Sequence, residues 1–200
     1  MQNVGNSNVA LYKGNHIFQI AKKKLFLHSV CYTSGEEYMR IKPRNIIRRF
    51  FKGAVWEIDD PNGLYLTFDD GPTPGVTEWI LNTLDRYDAK ATFFVLGKNV
   101  ELYPDLYEMI LERGHKVGNH TYSHQNGWGM SLERYIEDVD FASDMVHSEL
   151  FRPPYARITP AQLRSVAKRY RVVMWSILSR DYNRRLSPKA CLKGTIRDLR

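Results

Sequence analysis

Asp69 and Asp70 stand side by side after a short apolar run and are followed at once by Gly71-Pro72. Adjacent like charges repel, and a Gly-Pro pair breaks whatever element precedes it. Further on come His120 and His124, four residues apart, and then Arg152-Pro153-Pro154-Tyr155. An i,i+4 spacing puts two imidazoles on one side of a helical turn. Two His and one carboxylate leave open positions for water and substrate on a bound Zn²⁺ or Fe²⁺, as a catalytic metal site requires. One aspartate would bind the metal while its neighbour stays free as a general base, held ionised by Arg152. The bland alternatives are an Asx-type turn at the acids and a surface or satisfied His pair. A turn alone leaves the apolar strand that delivers the acids unexplained.

The surrounding chain alternates between two periodicities. Short β-rich runs fall at 64–68, 91–95, 116–120, 150–152 and 172–177. Between them, helical spacing covers Val76 to Tyr87, Pro104 to Arg113, a stretch capped by Ser131 that runs to about Val146, and a capping box at Thr159–Gln162 that opens a helix to Tyr170. Ser187-Pro188 starts one more. Five strand–helix alternations predict parallel strands with helices outside, as an open sheet or a barrel. Asp69 and Asp70, His120 and His124, Arg152 to Tyr155, and Ser179 to Tyr182 all follow strands. In parallel α/β folds those strand ends share the face that carries the active site.

Thr67-Phe68-Asp69-Asp70-Gly71-Pro72, His120-Thr121-Tyr122-Ser123-His124 and Arg152-Pro153-Pro154-Tyr155 resemble, in order, the first three motifs of the polysaccharide deacetylases, the NodB-type carbohydrate esterases. The resemblance covers roughly residues 60 to 200. It implies a distorted (β/α) barrel of about seven strands and a metal-dependent removal of acetyl groups from N-acetylated sugars, with metal-bound water as nucleophile. It implies Asp70, His120 and His124 as ligands of a divalent metal, usually zinc. Asp69 becomes the base, Arg152 holds Asp69, and the backbone N–H of Tyr155 helps stabilise the oxyanion. A glycan substrate predicts a groove lined by aromatics, for which Tyr122, Trp128, Trp175 and Tyr182 are candidates.

Two departures stand out. The fourth motif of the family, D-x-x-D-W, appears around Trp175 with Leu178 in place of the first Asp, while Asp181 keeps the second and Tyr182 keeps an aromatic. The fifth, Leu-x-His, which supplies the general acid in the family, is absent before Arg200. His115 and His147 read as structural rather than as stand-ins. The expectation is a catalytic domain over 61–200 that lacks its last strand or two, with the acid beyond Arg200. Two other readings stay open: a hydrolase of small linear amides on the same scaffold, and a non-catalytic metal- or sugar-binding fragment.

Composition narrows the partners. The chain has 200 residues and a net charge of +7. Residues 1–50 carry nine Lys and Arg against two acids, and residues 51–200 carry 20 of each, so the whole excess is N-terminal. No nucleic-acid stripe follows from that distribution. No run reaches the ~18 apolar residues of a spanning helix. Cys31 and Cys191 are far apart and form no disulfide framework. Residues 22–31 look like a poor export leader, because the apolar part is short and His28 interrupts it. That favours the cytoplasm over the cell envelope. Residues 1–38 read as a disordered tail or an extension upstream of Met39, and 39–60 as a basic lead-in. Within it, 45–51 reads as a short amphipathic helix that packs on the domain or touches a membrane surface weakly.

Overall fold

The computed structural model describes residues 9–13, 16–20, 48, 51–60 and 63–199. The leader-like stretch, Cys31, Met39 and most of 45–51 lie outside the described residues. Within the N-terminal region, β1 (Val9–Lys13) and β2 (His16–Ile20) form an antiparallel ribbon, where the sequence showed no strand period.

The main sheet has five parallel strands in sequential order: β3 (Leu66–Asp69), β4 (Ala91–Val95), β5 (Lys116–Asn119), β6 (Leu150–Phe151) and β7 (Arg171–Val172). Leu66 pairs with Ala91 and Phe93 with Val117, so each strand advances beside the last and all the C-terminal ends meet at one edge. Beyond β7 a single parallel bridge joins Val55 to Val173. This is the α/β architecture that the alternation implied.

The helices are α1 (Val76–Arg86), α2 (Gly97–Leu102), α3 (Pro104–Glu112), α4 (Leu132–Ser143), α5 (Pro160–Val166) and α6 (Pro188–Asp198). Their starts follow local chemistry. Ser131 accepts from the Arg134 N–H, Ser187 from the Ala190 N–H, and Thr159 with Gln162 forms the reciprocal capping box. The sequence missed α2, a single short helix that begins on Gly97 without a side-chain cap.

Two apolar clusters hold the layers. Leu66, Phe68, Phe93 and Val117 pack against Ile80, Leu81 and Leu84 of α1 and against Ile110 of α3. Phe94, Phe151 and Val172 pack with Val139 of α4, Val166 of α5, Trp56 and Trp175. A fully buried leucine such as Leu81 or Leu84 contributes about 1.5–3 kcal/mol. β7 is shorter than the expected 172–177 strand. The carbonyls of Val173 and Met174 accept from the Arg152 side chain instead of a neighbouring strand. Arg48 pairs with Glu57 at 3.3 Å and lies over the Trp56 ring, and Trp56 packs against Trp175, which ties the lead-in to the domain. No helix of the described residues is long and apolar enough to cross a membrane.

Candidate active site

Three strand ends build the site. β3 ends on Asp69, whose side chain is only 2% exposed. Asp70 then adopts a left-handed φ of 70°, a conformation Asp tolerates better than most residues. That turn separates the two carboxylates: Asp70 emerges with its side chain 55% exposed. The corner is held from both sides. The Asp70 N–H donates to the Phe94 carbonyl at 3.1 Å, and Asn99 Nδ2 donates to the Asp70 carbonyl at 2.7 Å.

Arg152 follows β6 and is fully buried. Its Nη1 donates to Asp69 Oδ1 at 2.7 Å and to Thr67 Oγ1 at 2.8 Å, while Nη2 donates to the Met174 carbonyl. The Phe94 ring lies 4.0 Å from its guanidinium carbon. Burial pulls the Arg152 pKa down and Asp69 opposes that shift. A guanidinium nevertheless stays charged, so a fixed cation stands behind Asp69.

His120 and His124 do not sit on a helical turn as their spacing implied. They follow β5 in a loop where Thr121 and His124 take φ values of 66° and 59°. Asn119 Oδ1 accepts from the Thr121 N–H, and Thr121 Oγ1 accepts from the His124 N–H. These side-chain bonds curl the loop until the ring centres are 5.2 Å apart. His120 Nδ1 lies 2.6 Å from the Arg152 carbonyl. A carbonyl only accepts, so Nδ1 carries the proton of the neutral ring and Nε2 presents its lone pair to the site. His124 Nδ1 is 3.0 Å from the Tyr155 hydroxyl, so its Nε2 likewise faces inward.

Asp70 Oδ1 lies 3.4 Å from His120 Nε2 and 3.1 Å from His124 Nε2. Tetrahedral ligands at about 2.1 Å from a metal are about 3.4 Å apart, so this nitrogen–nitrogen–oxygen set fits a divalent ion. Among the described residues these three form the one His/Cys/Asp/Glu group so placed. Burial would raise the Asp70 carboxyl, but the two imidazoles outweigh it and hold it well below the usual carboxylate range. Burial works against a charged His120, and the Asp70 carboxylate still brings its pKa above the ordinary value.

The remaining candidates divide. Tyr155 takes φ 56° inside the 3₁₀ turn Pro154–Ala156. Its backbone N–H makes none of the turn bonds that Ala156 and Arg157 make to the Pro153 and Pro154 carbonyls. Trp128 is exposed, and the Arg157 guanidinium carbon lies 5.3 Å from its ring centre and 5.9 Å from that of Tyr155. Tyr122 does not line a groove: its hydroxyl donates to Glu101 of α2 and its ring packs on Phe141 of α4. Trp175 is 2% exposed and packs against Trp56, so it belongs to the core rather than to a sugar platform. Asp181 bonds Ser179, and Tyr182 is exposed after β7. The Asp181 carboxylate accepts from Ser179 and its N–H donates back to the same hydroxyl, so these bonds stay within its own turn. His115 and His147 precede β5 and β6, at the opposite ends of the strands from the site. His115 Nδ1 accepts from the Ala91 N–H, as a structural residue would.

Sequence reasoning did not single out Thr67, Asn99, Asn119 or Arg157. Strand alternation places Thr67 on the face of Asp69 and could have found it. The others depend on contacts between distant segments.

Comparison with known proteins gives a consistent picture. A family model described as polysaccharide deacetylase matches residues 58–175. The peptidoglycan-N-acetylmuramic acid deacetylase PdaC of Bacillus subtilis is 37% identical over 137 residues, which covers 64% of this chain and 29% of that protein. Chitin deacetylase 1 of Saccharomyces cerevisiae is 37% identical over 137 residues, covering 63% and 44%. The match thus spans less than half the length of either relative. The solved structure of PdaC superimposes with a TM-score of 0.62 at 29% identity, over 74% of this chain and 70% of that one.

Proposed function

Because the chain belongs to the polysaccharide deacetylase family, we propose that it hydrolyses the N-acetyl amide of amino sugars in a glycan, at the Asp70–His120–His124 centre. The observation that carries this reading is the buried Asp69–Arg152 pair directly behind that centre. A carboxylate next in sequence to a metal-ligating one, yet partnered by a buried guanidinium, supports a base rather than a fourth ligand.

Asp70, His120 and His124 would hold the metal, for which we favour Zn²⁺. A divalent ion bound there supplies Lewis acidity, which acidifies water and polarises the amide carbonyl. Asp69 accepts the proton of the attacking water. Arg152 holds its carboxylate in place through the 2.7 Å hydrogen bond. The Tyr155 N–H, on a stretch stiffened by Pro153-Pro154, would donate to the developing oxyanion. The departing amine also needs a proton, and His115 and His147 lie at the opposite ends of the strands from the site. The substrate class we assign is an N-acetylated polysaccharide, in line with the peptidoglycan and chitin named for the relatives.

The test is acetate release from chitooligosaccharides and from peptidoglycan by the zinc-loaded chain, with bound metal measured in parallel. Asp69→Asn keeps metal and loses about 10²–10⁴-fold in rate, whereas Asp70→Asn weakens metal binding. Equal loss of metal in both variants would end this division of labour. Wild type that neither binds zinc nor frees acetate from either glycan would end the deacetylase reading.

A further inference from the structure

Beside the candidate centre stands a cation without a counter-charge among the described residues. Arg157 follows the Pro154–Ala156 turn, with its guanidinium carbon 5.3 Å from the Trp128 ring centre and 5.9 Å from that of Tyr155. Among the described residues its side chain makes no ion pair and no hydrogen bond. Arg48, Arg113, Arg152 and Arg169 each pair with a carboxylate. Both flanking rings are exposed, Trp128 by 59% and Tyr155 by 46%.

The cluster is exposed, but its backbone is fixed. The Gly127 N–H donates to the Arg157 carbonyl at 3.0 Å. Buried Gln162 donates to the carbonyls of Gly127 and Met130. A Cβ on Gly127 would lie 2.5 Å from the Arg157 carbonyl oxygen, so only glycine allows this approach. Trp128 is thereby seated beside Arg157. On the other side, the Tyr155 hydroxyl is 3.0 Å from His124 Nδ1, which joins the cluster to the metal-binding triad.

A guanidinium flanked by aromatic rings keeps its planar edge of N–H donors for a ligand, and that fork matches a carboxylate bidentately. The exposed ring faces suit the C–H face of a sugar. We propose that Arg157, framed by Trp128 and Tyr155, determines specificity by binding a carboxylate carried by the glycan next to the acetyl group under attack. Polymers of carboxylate-bearing amino sugars are then favoured over neutral ones. This rests on the deacetylase reading.

The test compares two tetrasaccharides of alternating N-acetylglucosamine and N-acetylmuramic acid. One carries free muramic carboxylates and the other carries them as neutral methylamides. With zinc-loaded wild type, kcat/KM for acetate release and the calorimetric association constant are both about tenfold higher for the acid form, and the ratio shrinks as salt rises. Arg157→Met brings the ratio to about one, and Arg157→Lys, which keeps the charge without the fork, gives an intermediate value. A ratio near one in wild type, or a ratio that survives Arg157→Met, overturns the proposal. If Arg157→Met does not fold, Arg157→Lys and the salt dependence of wild type decide it. Wild type that binds the glycan but takes up no zinc and frees no acetate sinks the deacetylase reading alone, and the calorimetric ratio still decides the subsite.

Discussion

Replacing Arg152 by methionine keeps an unbranched apolar stem and removes the guanidinium with its charge. The Arg152 and Asp69 side chains are 1% and 2% exposed and meet at 2.7 Å, so the substitution strands a carboxylate away from water. Breaking one side of a buried pair costs about 3–5 kcal/mol, against at most about 1 kcal/mol for a surface pair. The carbonyls of Val173 and Met174 lose a donor as well, which adds to that figure. For a chain of this size the loss corresponds to a fall in Tm of roughly 6–20 °C. Arg152→Met combined with Asp69→Asn leaves no buried charge, so the double variant should be more stable than the sum of the two single losses predicts, with a coupling of about 2–3 kcal/mol. Urea unfolding followed by tryptophan fluorescence gives the cycle, since Trp56 and Trp175 are buried beside the carbonyls in question. Chelator keeps metal linkage out of the comparison. Single losses that add to within about 0.5 kcal/mol would show that the Asp69–Arg152 contact is not what holds this region.

Two further outcomes follow from the geometry. Tyr155→Phe removes the hydroxyl that orients His124 and should lower zinc affinity by about tenfold; unchanged affinity by competition with a chromophoric chelator would rule out that orienting role. Burial holds the His115 pKa below its ordinary value, Lys90 and Arg113 push the same way and Asp85 opposes them. As pH falls the unfolded chain takes up this proton first, so the His115 contribution is flat above about pH 6.5 and destabilises below it. His115→Asn should therefore lose less stability than wild type between pH 7.5 and pH 5.5 in urea titrations, and equal slopes would contradict the assignment.

Local chemistry wrote much of this protein into the chain itself. The capped starts of α4, α5 and α6 needed no distant partner, because Ser131, Thr159 with Gln162, and Ser187 satisfy N–H groups within three residues. The strand–helix alternation placed Asp69, Asp70, His120, His124 and Arg152 at strand ends, and parallel strands bring such ends together. The roles of individual side chains were less legible. The i,i+4 spacing of His120 and His124 pointed to a helical turn, but Asn119 and Thr121 bend a left-handed loop instead. Tyr122 and Trp175 looked like sugar platforms in a one-dimensional pattern, where exposure cannot be read. The tertiary structure turns one toward Phe141 and buries the other against Trp56. Arg152 ended β7 early and confined Asp69, and Arg157 met Trp128 across a turn bolted by Gln162. The sequence alone determined the strand–helix alternation of the main sheet, its capped helices and the residues at those strand ends, because caps and periodicity act over a few residues. Only the tertiary structure decided which charges are paired and which face solvent, because burial and ion pairing depend on segments that are far apart along the chain.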